Sequence, residues 1–440
     1  MAELDQHTIT LALREGQCRR EKSMDSQTKS WSDDWQSRDG CERILRVRWL
    51  LNPNQPPLEN VEIVEQGGRI SEIRTLPATA TNVLPVVLTP MLVNAHTHLE
   101  FSDLTEPIRP ALPFPEWISA VIQWRRGKDG TENDGVSRGL QESIRSGVGA
   151  IGEITTTQLV NHDDLTAGCQ VVSFREIIGL QQQRIPELLQ LATEHLAQVP
   201  TASLHNRVIS GLSPHAPYTV HPELFNSLIE LAVNHKAVVA MHLAETTDEI
   251  ELLHNGTGRF VDFLKRLGLW NSSTFPGGRC IREFLEQLVR APRALAIHGN
   301  YFSNDDIQFV ARHANLATVY CPRTHAYFRH TPHPIRQLMA AGAKVVLGTD
   351  SRASNPDLSI WKELQFVATQ FPDISIPQLL AMVTTDVADA LGLPTDGYTI
   401  RVGGDLRCVM LEMGGDTNDL RQLVRHPTTQ PVGYTVHSQK

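Results

Sequence analysis

Four short polar signatures each close an apolar, strand-like run: Asn94-Ala95-His96-Thr97-His98, Met241-His242-Leu243-Ala244-Glu245, Ile297-His298-Gly299-Asn300 and Gly348-Thr349-Asp350. Imidazole nitrogens with a carboxylate are the donors that hold a hydrolytic divalent ion while leaving one position open for water. His96 and His98 stand two residues apart, so on an extended strand both side chains leave the same face and can reach one ion. His242 can be a third ligand. Glu245, where that strand turns into a loop, can reach the ion's water. His298 precedes Gly299, a sign of close backbone approach, and a buried Asp350 needs a cation or hydrogen-bond donors. Singly, each residue has an ordinary reading as a surface pair, a satisfied core histidine or a solvated carboxylate. Together, at four strand ends, they point to a metal-dependent hydrolase.

The elements that must position them show in the hydrophobic pattern. Runs ending near Val93, Glu153, Phe174, Leu212, Met241, Ile297, Tyr320 and Leu347 are short, apolar and rich in β-branched residues, as strands buried on both faces are. Helical stretches lie between them at Pro222 to Lys236, Asn304 to His313 and Pro334 to Ala341. Eight parallel strands joined by helices make an α/β fold of (β/α)8 TIM-barrel type, with its chemistry at the C-terminal strand ends. We place this barrel at residues 89–396. Period-two stretches at Ile44 to Leu50, Val61 to Val64 and Ile70 to Ile73, with a Gly67-Gly68 turn, predict a small sheet. Gly397 to Met410 returns to it, so residues 43–88 and 397–440 form a small composite β-sandwich domain. Residues 1–42 are polar and aperiodic and read as a disordered tail, with Met1 or Met24 as the start of translation.

The chain has 440 residues, 41% hydrophobic and 20% charged, with net charge −9. That balance excludes a nucleic-acid partner or an anionic membrane surface and favours a small-molecule substrate. Six cysteines (Cys18, Cys41, Cys169, Cys280, Cys321, Cys408) include no Cys-x-x-Cys pair, which argues against a disulfide framework and a sulfur-based zinc site. No apolar run is long enough for a membrane span and no signal peptide is present. A cytoplasmic location follows; a homo-oligomer stays open. Cys321, without a partnering histidine motif, reads as structural.

With these motifs in this order, the chain resembles the amidohydrolase superfamily, in its aminohydrolase branch of nucleoside deaminases and triazine chlorohydrolases. The resemblance implies His96, His98, His242 and Asp350 as metal ligands, Glu245 as proton shuttle, and His298 and Asp350 as catalytic residues supporting the hydrated centre. The fourth strand end, Leu212-Ser213-Pro214-His215, lacks the lysine that bridges two metals in many relatives. One divalent ion is therefore expected, Zn²⁺ or alternatively Fe²⁺, with His215 facing the substrate's ribose or ring.

By the same resemblance Glu116, in Pro113-Phe114-Pro115-Glu116-Trp117-Ile118, hydrogen-bonds a purine, and Ser354 makes a second polar contact. Thr324 and His325 stand where the branch more usually has serine and asparagine. Phe174-Arg175-Glu176-Ile177-Ile178-Gly179 is most similar to aminofutalosine deaminases, in which case Arg175, Arg323 or Arg352 pairs with a substrate carboxylate. The plain alternative is that these arginines tie loops together. The expected reaction is hydrolytic deamination of an amino-substituted N-heterocycle, such as an adenine nucleoside. Dechlorination or dealkylamination of a triazine, cyclic-amide hydrolysis and an inactive binding barrel are the alternatives.

Overall fold

The computed structural model describes residues 36–38, 42–127, 135–156, 169–197, 208–413 and 419–437. Five strands open the chain: β1 (Gln36–Arg38), β2 (Glu42–Leu50), β3 (Leu58–Gln66), β4 (Arg69–Thr75) and β5 (Leu84–Pro90). Nine short parallel strands follow: β6 (Leu92–His98), β7 (Val148–Thr155), β8 (Gln170–Ile177), β9 (Val208–Pro214), β10 (Val238–Leu243), β11 (Arg293–His298), β12 (Leu316–Tyr320), β13 (Lys344–Leu347) and β14 (Asp350–Ser351). The last two are β15 (Leu406–Glu412) and β16 (Gln430–His437).

Strands β6 to β14 form one sheet in sequence order, curled so that its two ends meet. β13 pairs with β12 through Tyr320 and Leu347, and β14 pairs with β6 through Asp350 and Thr97. Because β13 and β14 are two halves of one extended run broken at Gly348-Thr349, the sheet is TIM-barrel-like. All eight strands expected from the sequence are present. The last one differs in detail, since Asp350 opens a separate two-residue piece instead of ending a continuous strand.

Asn94 bridges this closure. Its amide donates to Thr349 Oγ1 at 2.7 Å, and its carbonyl oxygen accepts from Thr349 N at 3.1 Å. First and last strands are thereby locked in the register that places His96 and His98 beside Asp350.

The remaining strands form one seven-stranded sheet, ordered β16-β15-β5-β2-β3-β4 with β1 against β2. The expectation of a two-sheet sandwich is replaced by a single sheet that curls, bringing Ile70 N to Gly404 O at 2.9 Å. Its β15 alternates with period two between two cores. Cys408 and Met410 pack with Leu45, Val61 and Leu88, while Val409 and Leu411 join the main barrel core. Gly67 and Gly68 make the β3–β4 turn with φ of 59° and 86°, conformations that favour glycine in a tight hairpin.

Strand β1 lies inside the span read from the sequence as a disordered tail, paired to β2 at Gln36 and Ile44. The rest of that span up to residue 35, with both candidate starts, falls outside the described residues. No helix among the described residues is long and apolar enough to cross a membrane. Among the described residues Cys169, Cys280 and Cys321 form no disulfide, and Cys321 is buried at a strand exit.

Candidate active site

Six side chains expected from the sequence converge where the parallel strands end. One nitrogen each from His96, His98 and His242 lie within 4.8 Å of one another, and so do donor atoms of His96, His298 and Asp350. His96 Nε2 is 3.5 Å and His98 Nε2 3.7 Å from Asp350 Oδ1. Glu245 Oε1 is 3.4 Å from His298 Nε2. All six are buried. Burial above all, reinforced by neighbouring charge, presses the pKa values of His98, His242 and His298 well below the imidazole range, so these rings are neutral and able to ligate.

The donor set fits a divalent ion. Both ring nitrogens of His96, although buried, have no hydrogen-bond partner, which is costly unless another group satisfies them. His242 Nδ1 is held by the His215 carbonyl at 3.0 Å, an arrangement that leaves Nε2 free to ligate. Asp350 Oδ2 accepts from Ser354 Oγ at 3.1 Å, and Oδ1 from Ser351 N at 2.8 Å.

Backbone strain marks the same places. Ala244, His298 and Asp350 adopt φ of 54°, 75° and 58°, positions where a residue with a side chain is held only by its surroundings. Glu249 holds the first of them by accepting from Ala244 N and Glu245 N at 3.0 and 2.8 Å. His333 holds the second, its Nε2 donating to His298 O at 2.9 Å. Next to His298, a Cβ on Gly299 would come within 2.8 Å of Phe302 and Thr318, which explains the glycine. Glu153 fixes the chain after His98, both carboxylate oxygens accepting from Leu99 N at 3.1 and 3.0 Å.

The expected substrate contacts fare unevenly. His215 lies beside the centre, its ring 4.9 Å from that of His242. Glu116 is exposed on the first turn of helix Phe114–Arg126 and near Asp248, three residues after Glu245, whose pKa is raised by burial first and, to a lesser degree, by the charges of Glu251 and Glu116. Ser354 is buried between Thr324 Oγ1 (3.0 Å) and Asp350, where its hydroxyl orients the carboxylate.

Two of the three arginines are held by carboxylates of other loops and helices. Arg323 donates to Glu363 Oε1 at 2.6 Å and to Asp357 Oδ1 at 2.9 Å. Arg352 reaches both oxygens of Glu142 at 2.9 Å and Leu104 O at 2.7 Å. Arg175 alternates with Glu176 on β8 and so leaves the opposite face, beside helix Ile185–Leu196, where burial first and then this charge lower the pKa of His195; its buried Nε has no hydrogen-bond partner among the described residues. Replacing Arg323 with Met should lower stability by about 3–5 kcal/mol, because Glu363 becomes an unpaired buried charge. Urea titration reads that loss, and an accompanying large rise in KM would return Arg323 to the binding site.

Sequence reasoning missed Arg125, Glu100 and Glu176. Arg125, near the end of helix Phe114–Arg126, pairs with Glu100 and lies 3.8 Å from Glu176. In the segment after β12, His325, His330 and His333 stand close together, with His333 buried and His330 Nδ1 meeting Tyr301 OH at 3.0 Å.

These rings carry a pH prediction for the metal-free protein. Burial first, then neighbouring charges, holds His215 and His333 down to about 3, and His330 to about 4. Below about pH 6.5 the unfolded chain takes up protons that the folded one refuses, so stability falls with pH by about 1.4 kcal/mol per unit for each ring. Glu249, raised by burial to about 7, acts with the opposite sign and gains stability over that window. Glu153 and Glu245, which burial first lifts well above the carboxylate range, share the sign of Glu249. The share of one ring is therefore read by comparison with His330→Gln: the wild-type urea midpoint should fall relative to the variant's from pH 7 to pH 5, and parallel profiles would contradict the holding of that ring as a neutral group.

With the geometry in hand, the chain can be set beside known proteins. Residues 87–425 match the sequence model of the Amidohydrolase family. The chain is 26% identical over 421 residues to a 5-methylthioadenosine/S-adenosylhomocysteine deaminase of Desulforamulus reducens, covering 90% of each. To an aminodeoxyfutalosine deaminase of Deinococcus radiodurans it is 29% identical over 334 residues, 72% of this chain and 77% of that one. In fold it is similar to Helicobacter pylori aminofutalosine deaminase in complex with methylthio-coformycin, at TM-score 0.69 and 22% identity over 87% of this chain and 94% of that one.

Proposed function

We propose, from the premise that this chain belongs to the amidohydrolase family, that it is a metal-dependent hydrolase removing the exocyclic amino group of an adenine nucleoside, aminofutalosine being the leading candidate. The observation that carries this reading is Glu245, buried against His298 beside the His96, His98, His242 and Asp350 donor set. The deaminase names of the curated relatives support the substrate class.

His96, His98, His242 and Asp350 would hold the ion, with Zn²⁺ first and Fe²⁺ second among candidates. When bound, such an ion supplies Lewis acidity that lets water act as a nucleophile near neutral pH. Asp350, fixed by Ser354 and Ser351, orients that water and accepts a hydrogen bond from it. Glu245 moves the proton. Its carboxyl is lifted well above the usual range by burial, then by the charges of Asp350 and Glu249, which favours its holding the proton between the two transfers. It delivers the proton to a ring nitrogen as the new C–O bond forms at the amine-bearing carbon. It then passes water's second hydrogen to the departing nitrogen, so that the C–N bond breaks and ammonia leaves, while the ring nitrogen of the oxo product keeps the first. His298, 3.4 Å from Glu245, keeps that carboxyl aimed at the centre.

Ultraviolet absorbance of the metal-loaded protein with aminofutalosine, adenosine, S-adenosylhomocysteine and guanine tests this. An adenine-to-hypoxanthine shift on one nucleoside is the expected result. No change on any of the four, with metal bound, would overturn the deaminase reading and favour triazine or cyclic-amide chemistry.

A further inference from the structure

We propose that His333 is a positioning residue for the proton shuttle, acting through the backbone turn at His298 to set the approach of His298 to Glu245. The inference rests on the metal-hydrolase reading above and not on which heterocycle is the substrate.

The turn that His333 grips carries both partners of that approach. Pairing of β11 with β12 ends at Ile297 and Val319, one residue short of His298. The His298 carbonyl is met instead by His333 Nε2, at 2.9 Å in a buried contact. Three bonds then run from the turn to the exit of β10. Gly299 N donates to Leu243 O at 3.0 Å, Asn300 Nδ2 to Glu245 O at 3.0 Å and Tyr301 N to Ala244 O at 3.1 Å. The conformation of residues 298–301 therefore fixes where the His298 ring stands and where Glu245 leaves its strand.

That conformation is strained. His298 holds φ of 75°, a left-handed backbone that a residue with a Cβ keeps only when its surroundings enforce it. Without the His333 N–H the carbonyl would be buried and unsatisfied. Strain and the lost bond then favour the same relaxation, a rotation of the peptide between His298 and Gly299. Such a rotation takes Gly299 N off Leu243 O and shifts the His298 ring and Glu245 relative to each other.

What His333 supplies is a single N–H at a set reach. A carbonyl only accepts, so Nε2 carries the ring hydrogen. The buried Nδ1 has no hydrogen-bond partner among the described residues, and Tyr320 stacks on the ring at 3.9 Å with the planes 19° apart. One bond and one stacked face hold this ring. A glutamine amide can deliver the same N–H, whereas a phenylalanine can fill the space and stack but has nothing to donate.

The test compares metal-loaded His333→Phe and His333→Gln proteins by crystal structure and by kinetics on whichever heterocycle the wild-type protein turns over. In the phenylalanine protein His298 should leave the left-handed region and move off Glu245. Its kcat should fall by about 10–100-fold, the cost of a displacement on the order of 1 Å. KM should stay within about threefold of wild type, because the change touches the chemical step and not binding. The glutamine protein should keep the turn and recover kcat to within about fivefold of wild type. A phenylalanine protein that keeps both the turn and its kcat, or that melts lower with kcat unchanged, overturns the proposal. So does a glutamine protein that loses the turn or most of its kcat, and this variant decides alone if the other does not fold. The structures need no turnover: if no adenine nucleoside reacts, the deaminase reading falls while the state of the turn still decides the role of His333.

Discussion

Glu245→Gln protein should keep its metal, its melting temperature and its substrate affinity while kcat falls by about 10²–10⁴-fold, the range for loss of a general acid–base group. Glutamine preserves the size and the approach to His298 at 3.4 Å, and the turn is held through backbone groups that the change leaves intact. What it lacks is the titrating proton. The prediction is independent of which heterocycle is the substrate, because every reaction of this type must move a proton between water, ring and leaving group. Metal content by atomic emission and turnover by absorbance decide it. Activity retained within a factor of a few would sink the proton-shuttle role, and loss of metal together with activity would show that Glu245 acts as a ligand.

The convergence of the candidate metal donors was legible because strand ends impose spacing: His96 and His98 share a face only if the chain is extended, and the apolar run before them says that it is. The barrel was legible for a related reason, since strands buried on both faces leave runs that polar loops interrupt. Substrate contacts were harder to read. Arg323 and Arg352 stand in loops of suggestive sequence, but whether an arginine meets a ligand depends on which carboxylates the fold brings to it. Glu363 is 40 positions and Glu142 210 positions away in the chain. Glu176 was visible only as the neighbour of Arg175, and strand alternation, once β8 is placed, turns one inward and the other out. The break at Gly348-Thr349 left no hydrophobic signature, because it depends on how the last strand meets the first.

Removing the metal should have the broadest consequence. His96 belongs to both donor triads, and neither of its buried nitrogens has a protein partner. An ion shared by the triads would satisfy one of the two, and with free metal at 100 times its dissociation constant would stabilise the fold by about 2.7 kcal/mol. Chelation should therefore lower the melting temperature and abolish turnover, and Zn²⁺ should restore both, at one ion per chain because the β9 end offers Ser213 and no lysine. In His96→Ala protein the chelator should change nothing, since the shared donor is gone, and activity should fall by at least about 10³-fold if water activation contributes several kcal/mol. Two ions per chain would instead mean that the triads fill separately. A His96→Ala protein that still binds one ion tightly would place the centre on His98, His242, His298 and Asp350 without it.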